Sequence, residues 1–234
     1  MIEATDFETF LYVSKNKYKV FVFDNKKLEN LYCKELTVYN EKNFYELNNL
    51  SKFLDENIYK IEKLVGNFIK NIILIIEDDQ TLQVNVAIKK KNYENSINQK
   101  YLENNLIELK DLFKENYQEQ IIMHMIITNF IINGRKYSSI TNNSNSDHMC
   151  LEVNFISVSN DLIFLFEKLL QKYQIKISQY MCGNYIKNFS YEDNSELSLM
   201  AYKLRNGFND NEVILVPKNI ENKGFFEKFF QLFS

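Results

Sequence analysis

The stretch IKNIILIIEDDQTLQVNVAI, residues 69–88, places two strands of different character one after the other. Residues 72–76 are all aliphatic, and a short continuous apolar run of this length is typical of a buried strand. In residues 82–88 apolar and polar side chains alternate, which is typical of a strand with one buried face. The stretch therefore predicts a fold that contains both fully buried and half-exposed strands.

Further strands and a helix are predicted upstream of this stretch. Residues 10–24 predict two strands joined by a tight polar turn, because valine and phenylalanine favour strands. Residues 35–40 are a candidate third strand. Residues 44–66 carry apolar side chains at helical spacing, and Gly66 follows the last of them, where a helix end is expected.

Helices and strands also alternate downstream. A helix capped by Ser96 is predicted for residues 96–117, and another, capped by Asn160, for residues 160–174. A short helix ending at Gly207 follows later. Three strands and a polar loop lie between these helices or next to them: strands at residues 120–134, 150–159 and 175–183, and the loop at residues 138–149. This order predicts an α/β (α+β) fold, with helices packed on a mixed sheet.

Composition limits the class of protein. The chain has 234 residues, of which 45% are hydrophobic and 25% charged, as is ordinary for a globular protein. A net charge of −3 provides no basic field, so we expect no nucleic-acid partner. The three cysteines are far apart, the first residues lack the basic region of a secretion signal, and no apolar run reaches about 18 residues. We therefore expect a reduced, cytosolic chain that does not span a membrane.

The two histidines are the first candidates for chemistry. His124 lies inside an apolar run, where a lone histidine is more often structural than catalytic. His148 and Cys150 form a His-x-Cys pair beside Asp147, but a zinc site needs about four ligands, and the sequence offers no second pair. We predict neither a catalytic site nor a metal site from these residues.

The adjacent acids Asp78 and Asp79 follow the buried strand. Phosphoryl-transfer enzymes place acids at strand ends, but ordinary turns do so as well, and a turn is favoured here. The five glycines are too widely spaced to build GxGxxG or GxxxxGK. Residues 88–101 hold four lysines and two tyrosines that could contact nucleic acid, yet the interleaved acid favours a solvated face. We expect no cofactor.

The last stretch, NKGFFEKFFQLFS, residues 222–234, combines six apolar residues with a helical spacing. On a helix they form one broad stripe, with charged and polar side chains opposite: Phe225, Phe226, Phe229, Phe230, Leu232 and Phe233. A helix of ten residues spans about 15 Å, too short to cross a bilayer, and is marginal alone in water. It needs a surface, which is its own core, a partner or a membrane interface. The polar residues 217–223 before it favour an outward contact.

In the order of its elements the chain resembles FtsA, the actin-like cell-division protein that tethers division filaments to the bacterial membrane. The strongest resemblance lies in IIMHMIITNFIING, residues 121–134, whose matching positions are His124, Phe130, Ile131, Ile132 and Gly134. Ile127 and Asn133 stand where the family has proline and aspartate. Residues 61–76 and 151–177 resemble further family segments, so the resemblance covers about residues 44–190. In FtsA a short amphipathic helix after a loose linker binds membrane, which favours that role for residues 225–233.

The chain also departs from this family. FtsA has a phosphate turn of the type Asp-Ile-Gly-Thr, and here the corresponding residues are Tyr12, Val13, Ser14 and Lys15. The acid that organises Mg²⁺ and the glycine that allows backbone to approach phosphate are both missing. The chain is too short for the second actin lobe, which in the family also docks the FtsZ tail. We therefore expect neither ATP binding nor direct FtsZ binding.

The resemblance implies a division of the chain into four parts. Residues 1–43 are the N-terminal strands, a remnant of the actin-like lobe, and residues 44–190 are the inserted α/β subdomain. Residues 191–223 hold a short helix, a strand and a linker, and residues 224–234 form the amphipathic membrane-targeting helix.

The expected function is that of a non-enzymatic, FtsA-like adaptor, peripheral on the inner face of the cell membrane. Its partners are membrane lipid, division proteins and further copies of itself. An adaptor of a pilus or secretion platform is an alternative within the same family. A degenerate enzyme that uses Asp78, Asp79 and His124 is an alternative from another class.

Overall fold

The fold is built on two β-sheets and five helices, seen in a computed structural model that describes residues 6–38, 47–91, 99–137, 148–193 and 195–214. In chain order the elements are β1 (Phe7–Ser14), β2 (Lys17–Asp24), β3 (Glu29–Thr37), α1 (Asn48–Val65), β4 (Asn71–Glu77), β5 (Leu82–Lys91), α2 (Gln99–Asn116), β6 (Gln120–Ile132), β7 (Arg135–Tyr137), β8 (His148–Ser159), α3 (Asn160–Gln171), β9 (Lys176–Cys182), α4 (Gly183–Asp193) and α5 (Leu197–Arg205). The predicted α+β class with a mixed sheet is confirmed.

The first sheet has five strands in the order β3-β2-β1-β4-β9. The first three strands form two antiparallel hairpins, whereas β4 is parallel to β1 and β9 is parallel to β4. Five consecutive residues of β4 are buried, as its aliphatic run predicts. Because β1 and β4 are parallel, their carboxyl ends meet at one edge of the sheet, and the strand order reverses between them.

Helices cover both faces of this five-stranded sheet. Tyr18 of β2 contacts Phe53 of α1, whereas Phe23, on the opposite face of the same strand, contacts Tyr202 of α5. The hydroxyl of Tyr173, just after α3, donates to Asp55 of α1 over 2.7 Å, which places α3 beside α1. With both faces covered, this sheet holds a continuous buried core.

The second sheet has four strands in the order β5-β8-β6-β7. β5 runs antiparallel to β8 over its whole length, from Leu82 opposite Ser157 to Lys91 opposite His148. Helix α2 packs on one face, and its buried side chains meet those of the strands in one cluster: Leu102, Leu106, Leu109 and Phe113 with Met125, Ile127, Phe130, Ile132, Met149, Leu151, Val153, Phe155 and Val213. The alternating burial of β5, predicted from its sequence, is confirmed.

Contacts divide the chain into two compact units. One comprises residues 1–81 and 158–206, and the other residues 82–157 and 207–234, each considered only where the structure describes it. Strand pairing joins distant segments within the first unit, because β1 pairs with β4 and β4 with β9. The division of the chain at residues 43, 190 and 223 stays a prediction.

Several local predictions are confirmed and others are wrong. Helix α1 ends at Gly66, which adopts φ 72°, as its position predicted. The cap of α3 is Ser159 rather than Asn160, because the Ser159 hydroxyl accepts the amide of Asp161. The predicted strand over residues 120–134 is β6 followed by the turn residues Asn133 and Gly134, and β7 begins after them at Arg135. Ser96 and residues 138–147 lie outside the described residues.

Among the described residues, no helix is long and apolar enough to cross a membrane. The segment after α5 runs beside β6, where the amide of Ile127 donates to Asn211 and that of Val213 to Met125.

Candidate functional site

The carboxyl ends of β1 and β4 form the first candidate site. In an open α/β sheet, ligands bind outside these strand ends at the point where strand order reverses. Here Tyr12 of β1, Glu77 of β4, and Gly183 and Lys187 of α4 meet, and we call these four residues the strand-end cluster. They are separated by up to 175 positions in the sequence, and the parallel pairing of β1 with β4 and of β4 with β9 brings them together.

Hydrogen bonds and charge hold the strand-end cluster together. The Tyr12 hydroxyl donates to Oε2 of Glu77 over 2.5 Å, and Nζ of Lys187 lies 2.5 Å from the same oxygen. The Lys187 ammonium also lies 5.5 Å from the centre of the Tyr12 ring. One carboxylate thus accepts from two donors and joins both strands to α4.

The acid–base properties of the cluster follow from this geometry. Burial first, and then the hydrogen bond to Glu77, raises the pKa of Tyr12, so the phenol stays protonated at neutral pH. Burial alone disfavours the charge of Lys187, but its bonds to Glu77 and Tyr12 together outweigh burial and raise its pKa. The cluster therefore holds one stable charge pair and a neutral donor.

Gly183 shows how closely α4 packs against β4. A Cβ atom at this position would lie 2.8 Å from Cβ of Glu77 and 3.3 Å from both its Cα and a ring carbon of Tyr12. Only glycine allows the helix to begin this close to the strand. The space above the end of β4 is therefore filled by the start of α4.

The amides at the start of α4 are also used within the chain. Cys182 is completely buried, and the backbone N–H groups of Tyr185 and Asn184 donate towards its sulfur. Burial raises the pKa of this thiol in spite of these two donors. Helix N-terminal amides are the groups that bind phosphate in many sheets, and here they contact a thiol of their own chain.

The residues described at this edge do not fit a nucleotide phosphate. Tyr12, Val13 and Ser14, which stand where the FtsA family has its phosphate turn, pair in regular register with Lys19, Tyr18 and Lys17 of β2. The strand-end cluster occupies the neighbouring space with a tyrosine, a carboxylate and a tightly packed helix. A phosphate would meet the Glu77 carboxylate without a glycine-lined approach.

His124, the catalytic candidate of the enzyme alternative, forms a buried pair with Glu212. Its Nδ1 atom lies 2.6 Å from Oε1 of Glu212, and the histidine is only 2% exposed. Such an imidazole–carboxylate pair can orient a general base, but a base must reach its substrate. At this exposure the pair serves to fix the segment that carries Glu212 beside β6.

The other sequence candidates are Asp78 and the pair His148 and Cys150. Asp78 forms a turn, because its carboxylate accepts the amide of Gln80 and its carbonyl accepts the hydroxyl of Thr81. Burial raises the pKa of the Cys150 thiol, which lies two residues from exposed His148. Within the described part of the chain, no group of three or more histidines, cysteines and acids is placed to hold a metal ion.

The lysines that the structure describes near the end of β5 lie at the solvent-facing surface. Lys90 pairs with Glu108 of α2 over 2.7 Å, and Lys89 is exposed. The six residues predicted to bind membrane all lie outside the described residues: Phe225, Phe226, Phe229, Phe230, Leu232 and Phe233.

Sequence reasoning did not find the strand-end cluster or helix α4. Residues 183–193 begin with glycine and mix polar with apolar side chains, and neither a helix nor a site was predicted for them. Glu77 was visible as an acid at the end of a buried strand, next to Asp78 and Asp79. Its partners were not visible, because Tyr12 and Lys187 belong to distant elements.

No family model matches the sequence, and no curated protein matches it. Solved structures with partial similarity include a Bacteroides thetaiotaomicron protein with an actin-like ATPase fold and unknown function, at 12% identity and a TM-score of 0.38, over 82% of this chain and 60% of that one. A PilM-PilN type IV pilus biogenesis complex matches at 8% identity and a TM-score of 0.48, over 80% of this chain and 50% of that one.

The cytoplasmic domain of EpsL, an inner membrane component of the type II secretion system of Vibrio cholerae, matches at 8% identity and a TM-score of 0.37, over 76% of this chain and 58% of that one. The chain thus spans between half and three fifths of the length of these solved chains. One of the three is described as having an actin-like ATPase fold. An assignment to FtsA in particular remains a proposal.

Proposed function

We propose that this chain is a non-enzymatic adaptor that resembles FtsA and attaches division proteins to the inner face of the cytoplasmic membrane. The observation that carries the proposal is the strand-end cluster. At the edge where an open α/β sheet offers its ligand site, Tyr12, Glu77 and Lys187 bond one another and α4 packs on Glu77. A body that fills this edge with its own side chains suits a scaffold better than a nucleotide-driven switch.

The membrane part of the proposal rests on the sequence of residues 225–233. Each fully buried phenylalanine contributes about 1.5–3 kcal/mol, so partial insertion of several outweighs the modest cost of ordering a short helix. The polar residues 217–223 before the stripe would act as a linker that lets it contact a membrane away from the folded body. Several copies held by such weak contacts would bind a membrane more tightly than one copy does.

A second candidate is an adaptor of a pilus or secretion platform. It differs from the first in its protein partner and not in its physical mechanism. The PilM-PilN complex and EpsL belong to such systems by name, and their similarity to this chain is too low to separate the two candidates.

Membrane attachment is tested by co-sedimentation of the full chain with phosphatidylglycerol vesicles. We expect the unchanged chain to pellet and the double variant Phe226→Ser, Phe230→Ser to stay in solution, because both side chains lie on the apolar stripe. The matched control is Glu227→Gln with Gln231→Glu, which alters the opposite side of the helix without changing net charge. If the phenylalanine variant pellets as well as the control, the membrane proposal is wrong.

The non-enzymatic part is tested by calorimetric titration with Mg-ATP. We expect no binding heat, because the residues at the strand ends leave phosphate no glycine-lined approach. Saturable binding that disappears in a Lys187→Met variant with an unchanged circular dichroism spectrum would contradict this part alone. Membrane attachment would then remain to be judged by the sedimentation result.

A further inference from the structure

The outer edge of β5 is the longest strand edge at the border of the four-stranded sheet. β5 has ten residues, about 33 Å at the usual rise, whereas β7 at the other border has three. Among the residues that the structure describes, β5 pairs with β8 and with no other strand. A long edge of this kind presents a row of backbone donors and acceptors that another strand can pair with.

On the α2 face of the sheet, the β5 side chains before the lysines are apolar and only partly covered. Leu82, Val84, Val86 and Ile88 lie on the α2 face of the sheet and are half-buried. Leu112 of α2 is 42% exposed and lies one helical turn after Glu108, the residue that pairs with Lys90 of β5. The flank of α2 beside the strand edge therefore adds to the apolar row.

Charge is confined to one end of β5. Its last three residues are lysines, and the seven residues before them carry no charge. A parallel in-register pairing of two copies would place each lysine opposite its equivalent, and like charges directly opposite destabilise a sheet. An antiparallel pairing centred in the apolar part places each lysine end opposite the neutral end of the other copy.

We propose that a second copy of this chain pairs antiparallel along β5, with the two-fold axis at Val86. In this register Val84 faces Ile88 of the second copy and Val86 faces its equivalent, so β-branched residues pack on one another. Gln83 then faces Lys89 of the second copy, and Asn85 faces Ala87. The two four-stranded sheets become one, which is an isologous interface of the kind most dimers use.

This inference deepens the proposed adaptor function and rests on it in one respect, which is that a pair of copies would bind a membrane through two contacts instead of one. The pairing itself depends on β5 and α2 alone. The test therefore contains no lipid, and its failure is distinct from the failure of membrane attachment.

The register is tested by disulfide cross-linking of the full chain carrying Cys33→Ser and Cys150→Ser, with buried Cys182 left in place. We expect a Val86→Cys variant to form a covalent dimer under mild oxidation, because two copies of residue 86 lie opposite each other at a distance a disulfide can bridge. The matched control is Gln83→Cys, whose two copies would lie about 20 Å apart, six residues along the strands.

A second measurement uses only exposed positions, so that it does not depend on a half-buried substitution. We expect a mixture of Gln83→Cys and Lys89→Cys chains to form mixed disulfide dimers, whereas Gln83→Cys alone does not. Sedimentation velocity of the unchanged chain should show dimers that grow with concentration. Two results would overturn the proposal. One is a chain that stays monomeric at its highest soluble concentration, in which case the edge would be left to a peptide of another protein. The other is cross-linking of Gln83→Cys that is as strong as that of Val86→Cys.

Discussion

Within the residues that the structure describes, the two sheets differ in how far helices and other side chains cover them. The five-stranded sheet has helices on both faces, its strand β4 is buried over five consecutive residues, and the strand-end cluster fills its ligand edge. The four-stranded sheet has α2 on one face, and along β5 buried and exposed side chains alternate. The first sheet is therefore the more enclosed of the two, whereas the second carries the β5 edge that we propose for interaction.

The largest expected effect compares a leucine in each sheet. Leu74→Ala in β4 should lower the free energy of unfolding by about 2–5 kcal/mol, because Leu74 is fully buried and its removal leaves a cavity. Leu82→Ala in β5 makes the same chemical change at a half-buried position and should cost clearly less. Urea unfolding followed by circular dichroism measures both. Equal losses would mean that the two sheets are enclosed to the same extent.

A smaller effect is expected where α4 meets β4. Gly183→Ala should destabilise the protein by about 1–3 kcal/mol, because its new methyl group would lie 2.8 Å from Cβ of Glu77. The control is Gly66→Ala, where no atom lies within 4 Å but the backbone has φ +72°. That variant should lose about 1 kcal/mol from backbone strain alone. A Gly183→Ala variant as stable as the unchanged chain would show that α4 is not tightly packed.

The strand-end cluster itself is tested by a double-mutant cycle. Tyr12→Phe should lower the free energy of unfolding by about 1 kcal/mol, because it removes one hydrogen-bond donor. Glu77→Ala should lower it by about 1–3 kcal/mol, because it leaves Tyr12 and Lys187 without their acceptor. The double variant should lose less free energy of unfolding than the two single variants together, because Tyr12→Phe already removes one of the hydrogen bonds that Glu77→Ala disrupts. Strictly additive losses in thermal or urea unfolding would mean that Tyr12 and Glu77 do not interact.

The smallest effect is expected at high pH. Burial first, and then the hydrogen bond to Asp55, raises the pKa of Tyr173 from 10.0 to about 12. The folded state thus holds this proton more tightly than the unfolded chain, so its stabilisation is complete below pH 10 and is lost as pH rises through about 12. Tyrosinate absorbance should show a late step among the 15 tyrosines, and Tyr173→Phe should diminish it. A titration of all tyrosines near pH 10 would contradict the burial of Tyr173.

Much of the fold was predictable because its elements carry local patterns. The aliphatic run of β4, the alternation of β5 and the glycine after α1 each reflect a periodicity or a backbone preference that few residues determine. The hairpin between β6 and β7 had a signal that was not used. Asn133 and Gly134 both have positive φ, at 50° and 80°, and Asn-Gly is the usual pair for such a two-residue turn.

By itself the sequence determined the class of fold and the strand and helix order over most of the chain. Only the tertiary structure decided that Tyr12, Glu77 and Lys187 share one site, and that Glu212 meets His124. The physical reason is the distance along the sequence over which each effect acts. Periodicity and turn preference act over a few residues, whereas these contacts join residues 65 and 88 positions or more apart and exist only once the strands have paired.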